Sequence, residues 1–119
     1  ELSRLMLAIK YIAAKSEQLE VLIFDEIDNG VSGKIASLMA NMMSEISKST
    51  QIISVSHLPQ IASKADEHLK VLKSVEKDNT ISNIVILNKE ERITEIAKLL
   101  SGKEVTPAAF ENARVLLSQ

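Results

Sequence analysis

Two short apolar runs, Val21–Phe24 and Gln51–Ser56, lie on either side of one amphipathic segment, and this arrangement limits the chain to few folds. The first run is short for a helix and suits a strand buried on both faces, as in a parallel sheet. The second run is rich in β-branched residues and predicts another strand. Between them, Gly30 and Gly33 break the chain, and apolar residues then recur at helical spacing: Ile35, Leu38, Met39, Met42 and Ile46. This order predicts a right-handed parallel crossover and an α/β fold.

The segments that flank this unit also carry regular patterns. Near the start, apolar residues recur at three- and four-residue steps and predict an amphipathic helix: Leu2, Leu5, Met6, Ile9, Ile12 and Ala13. No cap or turn precedes that pattern, so we expect a chain cut from something longer. Pro59 is typical of the first turn of a helix and predicts a short helix from Pro59 to about Ala65.

The last part of the sequence predicts a hairpin and two helices. The strands are His68–Val75 and Thr80–Leu87, with Glu76–Asn79 as their turn. A long helix follows, with its apolar stripe at Ile93, Ile96, Ala97 and Leu100, and Gly102 can end it with a left-handed cap. Thr106 caps a final helix that has Pro107 at its first position and carries these residues inward: Phe110, Ala113 and Leu117.

Composition excludes several classes of function. The 14 basic and 16 acidic residues give a net charge of -2, which argues against a surface devoted to nucleic acid. Aromatic residues make up 3% of the chain, which argues against base stacking, and the lack of cysteine excludes disulfides and thiolate metal sites. No segment reaches the roughly 18 apolar residues of a membrane span. We therefore expect a cytoplasmic protein with no membrane partner.

The sharpest chemical signal is the acidic pair Asp25 and Glu26 at the end of the first strand. Open α/β folds bind ligands at the carboxyl edge of the sheet, where these carboxylates belong. In P-loop NTPases an acidic residue there holds Mg2+, and a second carboxylate can orient and deprotonate the attacking water. The alternative is that both residues simply end a strand and begin a loop.

A histidine follows the second strand. Because parallel strands end at the same edge, His57 should lie beside Asp25 and Glu26, where an imidazole could donate to a γ-phosphate oxygen or hold the water. The alternative is a surface histidine that caps the turn before Pro59. His68 has no such partner and is expected at the surface, at a strand end. The methionines at 39, 42 and 43 could line a soft binding groove, although core packing is the favoured interpretation.

Three motifs in the expected order resemble one class of ATPase. VLIFDE at Val21–Glu26 resembles a Walker B strand with its catalytic glutamate, and SVSH at Ser54–His57 resembles the switch-histidine strand of ABC-type ATPases. The opening ELSRLMLAIK resembles the helix after an LSGGE signature. Within that class, DEIDNGVSGKIA, SHLPQIASKADEHLKV and the tail ERITEIAKLLSG with TPAAFENARVLL are similar to the RecN family of bacterial SMC-like DNA-repair ATPases. The resemblance covers essentially the whole chain.

This resemblance implies a role for each matched position. Asp25 would hold Mg2+ through water, Glu26 would be the general base, and His57 would sense the γ-phosphate of ATP. Residues 29–33 would form the D-loop, which crosses to a second head when two heads enclose ATP. The D-loop residues are Asn29, Gly30, Ser32 and Gly33.

The resemblance also implies what lies elsewhere. No G-x-x-x-x-G-K-[ST] loop occurs in the sequence, so residues 1–119 are expected to be the C-terminal half of an ABC-type ATPase head, a partial P-loop NTPase fold. Its partners would be the N-terminal half of the head, a second head in an ATP-bound homodimer, and DNA at the bacterial nucleoid. Alone, the chain is expected not to hydrolyse ATP. The alternatives are an ABC transporter ATPase subunit and an SMC-type head that acts mainly as an ATP-gated clamp. The LSGKE sequence at 100–104 closes a helix and lacks the second glycine of a signature.

Overall fold

A computed structural model describes residues 2–17, 19–76, 79–102 and 104–119 of the chain. Helices and strands follow one another in the predicted order: α1 (Leu2–Glu17), β1 (Val21–Asp25), α2 (Gly33–Ile46), β2 (Gln51–Val55), α3 (Pro59–Lys64), β3 (Leu69–Glu76), β4 (Asn79–Ile86), α4 (Lys89–Ser101) and α5 (Pro107–Leu117). The α/β class predicted from the sequence is confirmed, since strands and helices alternate through the first half of the chain.

The strands β1 and β2 form a parallel pair in register from Val21 opposite Gln51 to Asp25 opposite Val55. One face of this pair is buried through Leu22 and Phe24. They pack in a first core with residues of α1, α2 and α3: Leu7, Ala14, Met39, Ala40, Met43, Ile46 and Ile61. Met39 and Met43 are thus core residues and not the lining of a groove, and Met42 packs against the same core.

The other face of the sheet is open, so the prediction that β1 is buried on both faces is wrong for this chain. Val21 and Ile23 alternate with the buried positions, and Ile23 is 62% exposed. On β2, Ile53 and Val55 are also exposed. The apolar run correctly predicted a strand, but its burial depends on a second layer that the described residues do not provide.

Helix α1 forms as predicted, yet its apolar stripe faces away from the core. Leu7 and Ala14 are buried, whereas these members of the stripe are exposed: Leu2, Leu5, Met6, Ile9 and Ile12. At about 100° per residue the two sets lie on opposite sides of the helix. Helix α2 shows a milder difference, since Leu38 is exposed and the alanines Ala36 and Ala40 are buried. Two apolar faces, one on β1–β2 and one on α1, therefore remain open.

A second core joins α4 and α5. Its buried residues are Ile93, Ile96, Ala97, Ala109 and Ala113. The small helix α3 contributes to both cores, because Ile61 belongs to the first and Ala62 packs against the second. Arg92 of α4 strengthens this junction: its guanidinium donates to the carbonyls of Ala65 (2.6 Å), Asp66 (3.2 Å) and Ser63 (3.5 Å) at the C-terminal end of α3.

Local signals fix the ends of the last two helices. Asn88 and Glu91 form a capping box at the start of α4, and the Thr106 side chain accepts from Ala109 N–H at the start of α5. Gly102 ends α4 with a positive φ of 74°, but its ψ of -135° lies outside the left-handed helical region, so the predicted left-handed cap is only partly correct. Leu100, expected on the inner stripe, is partly exposed.

The predicted hairpin is present as the antiparallel pair β3 and β4, with Leu69 opposite Ile86 and Glu76 opposite Asn79. Residues 77–78 of the predicted turn lie outside the described residues, as does Lys103 of the LSGKE sequence. Apolar side chains on one face of the hairpin are exposed to solvent: Leu69, Val71, Val75, Ile84 and Ile86. On the other face Lys70 forms an ion pair with Glu95 of α4.

Candidate functional site

The carboxyl ends of β1 and β2 bring the acidic pair and His57 to the same edge of the sheet. Asp25 lies opposite Val55, and the Glu26 N–H continues the ladder by donating to the Val55 carbonyl at 3.2 Å. His57 follows two residues beyond Val55. The side chains of Asp25, Glu26 and His57 are all exposed at this edge, so a ligand can approach them from solvent.

The backbone turns sharply at Glu26. Its φ is +47°, a left-handed conformation that non-glycine residues seldom adopt. The next turn is closed by Asn29, whose N–H donates to the Glu26 carbonyl at 3.3 Å. The Asn29 side-chain amide also donates to Oε2 of Glu26 at 3.3 Å. The Glu26 carboxylate is therefore exposed but restrained by the loop that follows it.

Asp28 is the residue of this site that the sequence did not single out. It is 1% exposed, and its Oδ2 accepts from the Ser56 hydroxyl and from the His57 N–H at 3.2 Å. The same oxygen lies 3.6 Å from Nδ1 of the His57 ring. Ser56 Oγ in turn accepts from the Leu58 N–H at 3.0 Å. The sequence did contain a signal for Asp28. It follows the first predicted strand, and Ser56 and His57 follow the second, so parallel pairing of the strands brings all three to the same edge.

The predicted D-loop connects β1 to α2 across the solvent-exposed surface. Asn29, Gly30, Ser32 and Gly33 are all exposed, and Gly30 has a positive φ of 73°. That conformation explains a glycine at this position, because a Cβ is disfavoured there even though none would collide with a neighbour. Ser32 is the N-cap of α2 without a side-chain capping bond. The loop thus presents backbone and small side chains to solvent.

His68, expected at the surface, is instead partly buried just before β3, and its Nδ1 has no hydrogen-bond partner among the described residues. Burial lowers the pKa of His68, and the nearby positive charge of Arg92 lowers that pKa further. Its carbonyl accepts from Leu87 N–H at 2.9 Å, which places it at the base of the hairpin. Partial burial and this position at the base of the hairpin indicate a structural role for His68.

No protein-family model matches the chain. Over its whole length it is 40% identical to the DNA repair protein RecN of Bacillus subtilis, and it is 41% identical over 118 residues to that of Deinococcus radiodurans. It is 39% identical over 117 residues to RecN of Vibrio cholerae. The chain spans about a fifth of the length of these relatives: 21%, 20% and 21% respectively.

A solved structure from work on ATP-driven dimerization and DNA-stimulated activation of SMC ATPases superposes with a TM-score of 0.66 at 20% identity. The match covers 86% of this chain and 61% of that one. At this identity the match establishes the fold alone, that of part of an SMC ATPase head. No helix in the described ranges is both long and apolar enough to cross a membrane. The resemblance to RecN drawn from the motifs is confirmed across the chain.

Proposed function

Since the chain is a RecN-like sequence from end to end, we propose that it is the C-terminal half of an ATPase head that acts in DNA double-strand break repair and recombination. The observation that carries this proposal is the parallel register of β1 and β2, which delivers Asp25, Glu26 and His57 to one edge. Relatives named for DNA repair favour this function over that of a transporter ATPase subunit.

In the complete protein each residue at the edge would have one task. Glu26 would accept a proton from the attacking water, and Asn29 would keep its carboxylate in place. Asp25 would bind Mg2+ through water. His57 would contact the γ-phosphate or the water. Residues 29–33 would reach a second head when ATP joins two heads into a homodimer.

The residues present suit Mg2+ and ATP. Mg2+ is commonly bound through one or two carboxylates together with water and substrate phosphates, and Asp25 offers an exposed carboxylate at the strand end. When bound, the metal would neutralise the charge of the phosphates. The phosphate-binding loop is absent from the sequence, so it would come from an N-terminal half that also covers the open faces of β1–β2, α1 and the hairpin.

The test is Glu26→Gln in the complete protein. This change keeps the shape of the side chain but removes the base, so it should lower ATP turnover on the order of 10²- to 10⁴-fold while ATP-dependent head pairing persists. Glu20→Gln is a matched control, because Glu20 is exposed at the opposite end of β1 and should leave turnover unchanged. Unchanged turnover in Glu26→Gln would show that the base is misassigned.

The chain alone should bind ATP weakly or not at all and should not hydrolyse it, since it supplies only the acidic half of the site. Isothermal calorimetry with Mg-ATP measures the binding directly. Micromolar binding by residues 1–119 would contradict the proposed division of the head. Relatives named for DNA repair support a role on DNA at the nucleoid in the cytoplasm, and ATP turnover of the complete protein with and without broken duplex DNA tests the dependence on DNA.

A further inference from the structure

Asp28 joins the two loops of the candidate site through a buried carboxylate. A carboxylate removed from water is costly unless hydrogen bonds replace its hydration. The donors to Asp28 come from the far loop: the Ser56 hydroxyl and the His57 N–H at 3.2 Å. Asp28 therefore belongs by sequence to the loop after β1 but by its contacts to the loop after β2.

These contacts determine the position of His57 more than packing does. The His57 side chain is 64% exposed, so few neighbouring atoms restrain the ring. Its backbone N–H, in contrast, is held by Asp28, and the adjacent Ser56 hydroxyl links Asp28 to the Leu58 N–H at 3.0 Å. Fixing the backbone on both sides of the Cα atom sets the direction of the Cα–Cβ bond from which the imidazole extends at the sheet edge.

The carboxylate also acts on the ring itself. Oδ2 of Asp28 lies 3.6 Å from Nδ1 of His57, which is longer than a hydrogen bond but close enough for the negative charge to act on that nitrogen. A negative oxygen beside Nδ1 favours a proton on that nitrogen, and the proton on one ring nitrogen determines what the other can do. Nε2 is then the unprotonated nitrogen of the neutral ring, so it can accept a hydrogen bond from the attacking water, whereas donation to a γ-phosphate oxygen requires a proton on Nε2.

We propose that Asp28 is the positioning residue of His57: it holds the imidazole at the sheet edge and selects the tautomer with its proton on Nδ1. The catalytic consequence rests on the proposed function, but the tautomer itself does not. A carboxylate that served only to close its own turn would have no effect on the ring.

Nitrogen NMR of the complete protein with labelled histidine measures the tautomer without any need for activity. The His57 signal is assigned by its loss in His57→Gln, at a pH where the ring is neutral. We expect the Nδ1-protonated form to dominate in the unmodified protein and the Nε2-protonated form to gain in Asp28→Asn, because the neutral amide lacks the negative charge that favours a proton on Nδ1. Asp66→Asn is the matched control, since Asp66 is an exposed aspartate outside the site and should leave the signal unchanged.

Dominance of the Nε2-protonated form in the unmodified protein would overturn the proposal, even if Asp28→Asn failed to fold. An equal change in Asp66→Asn would overturn it too. ATP turnover adds a second readout: Asp28→Asn should lower kcat on the order of 10- to 100-fold with nucleotide affinity retained. Combined with His57→Gln it should cause no further loss, whereas additive losses would count against positioning. A protein without ATPase activity would refute the proposed function and leave the NMR result to decide the role of Asp28.

Discussion

Ile23→Ala tests whether the open face of the sheet is covered in the complete protein. In the chain alone Ile23 is 62% exposed, so only about a third of the roughly 2 to 5 kcal/mol lost on truncating a buried isoleucine is at stake, about 1 kcal/mol. If an N-terminal half packs on this face, the same change should cost the full amount of about 2 to 5 kcal/mol in the complete protein.

Hydrogen exchange of peptides that span β1 reports the local free energy of opening, both in the chain alone and in the complete protein. Global unfolding of a large protein does not report this local quantity. Leu22→Ala provides the matched control, because Leu22 is 5% exposed and already packed against α1 and α2. It should lower the opening free energy by about 2 to 5 kcal/mol in both settings. A loss near 1 kcal/mol for Ile23→Ala in the complete protein would refute the inference that this face is buried there.

Arg92→Met keeps much of the side-chain length but removes the donors to the C-terminal end of α3, and should lower the free energy of unfolding by about 2 kcal/mol in urea denaturation. Because the pKa of His68 is lowered, the folded state favours the neutral imidazole. The stability from this residue should be fully present above about pH 6.5 and should fall as pH decreases. In His68→Gln the melting temperature should depend less on pH. Gly30→Ala forces a Cβ to φ +73° and should cost about 1 to 2 kcal/mol. Gly33→Ala, without a positive φ, should cost nothing or stabilise by up to about 1 kcal/mol.

Each of these has an outcome that would contradict it. Urea midpoints of Arg92→Met equal to those of the unmodified chain would mean that its hydrogen bonds contribute no net stability. A pH slope that persists in His68→Gln would assign the acid sensitivity to other groups. Equal effects of the two glycine substitutions would show that the loop relaxes and that φ at Gly30 imposes no constraint.

The sequence predicted the order of elements because local signals and short-range periodicity determine them. Pro59, Thr106 and the two apolar runs each act within a few residues, and the structure has helices and strands where they predicted them. The adjacency of Asp25 and His57 at one edge also follows from local information, since a strand, helix and strand in succession pair in parallel. The roles of Glu26, His57 and the D-loop residues stay predictions.

What the sequence could not give is which apolar face meets which partner. The stripe on α1 and the residues Val21 and Ile23 have the pattern of core positions, yet they are exposed. We propose that the N-terminal half of the head covers them in the complete protein. Asp28 was missed for a different reason. Its importance lies in hydrogen bonds to Ser56 and His57, 28 and 29 residues along the chain, and only folding brings those groups together.

The six-residue helix α3 has a consequence for how the site responds to distant changes. Ile61 and Ala62 are successive residues committed to different cores, so the helix cannot rotate without disturbing both. His57 lies just ahead of its first turn. Loosening the α4–α5 pair, for instance at Ala113, is therefore expected to displace the backbone at His57 without any change at the sheet edge itself.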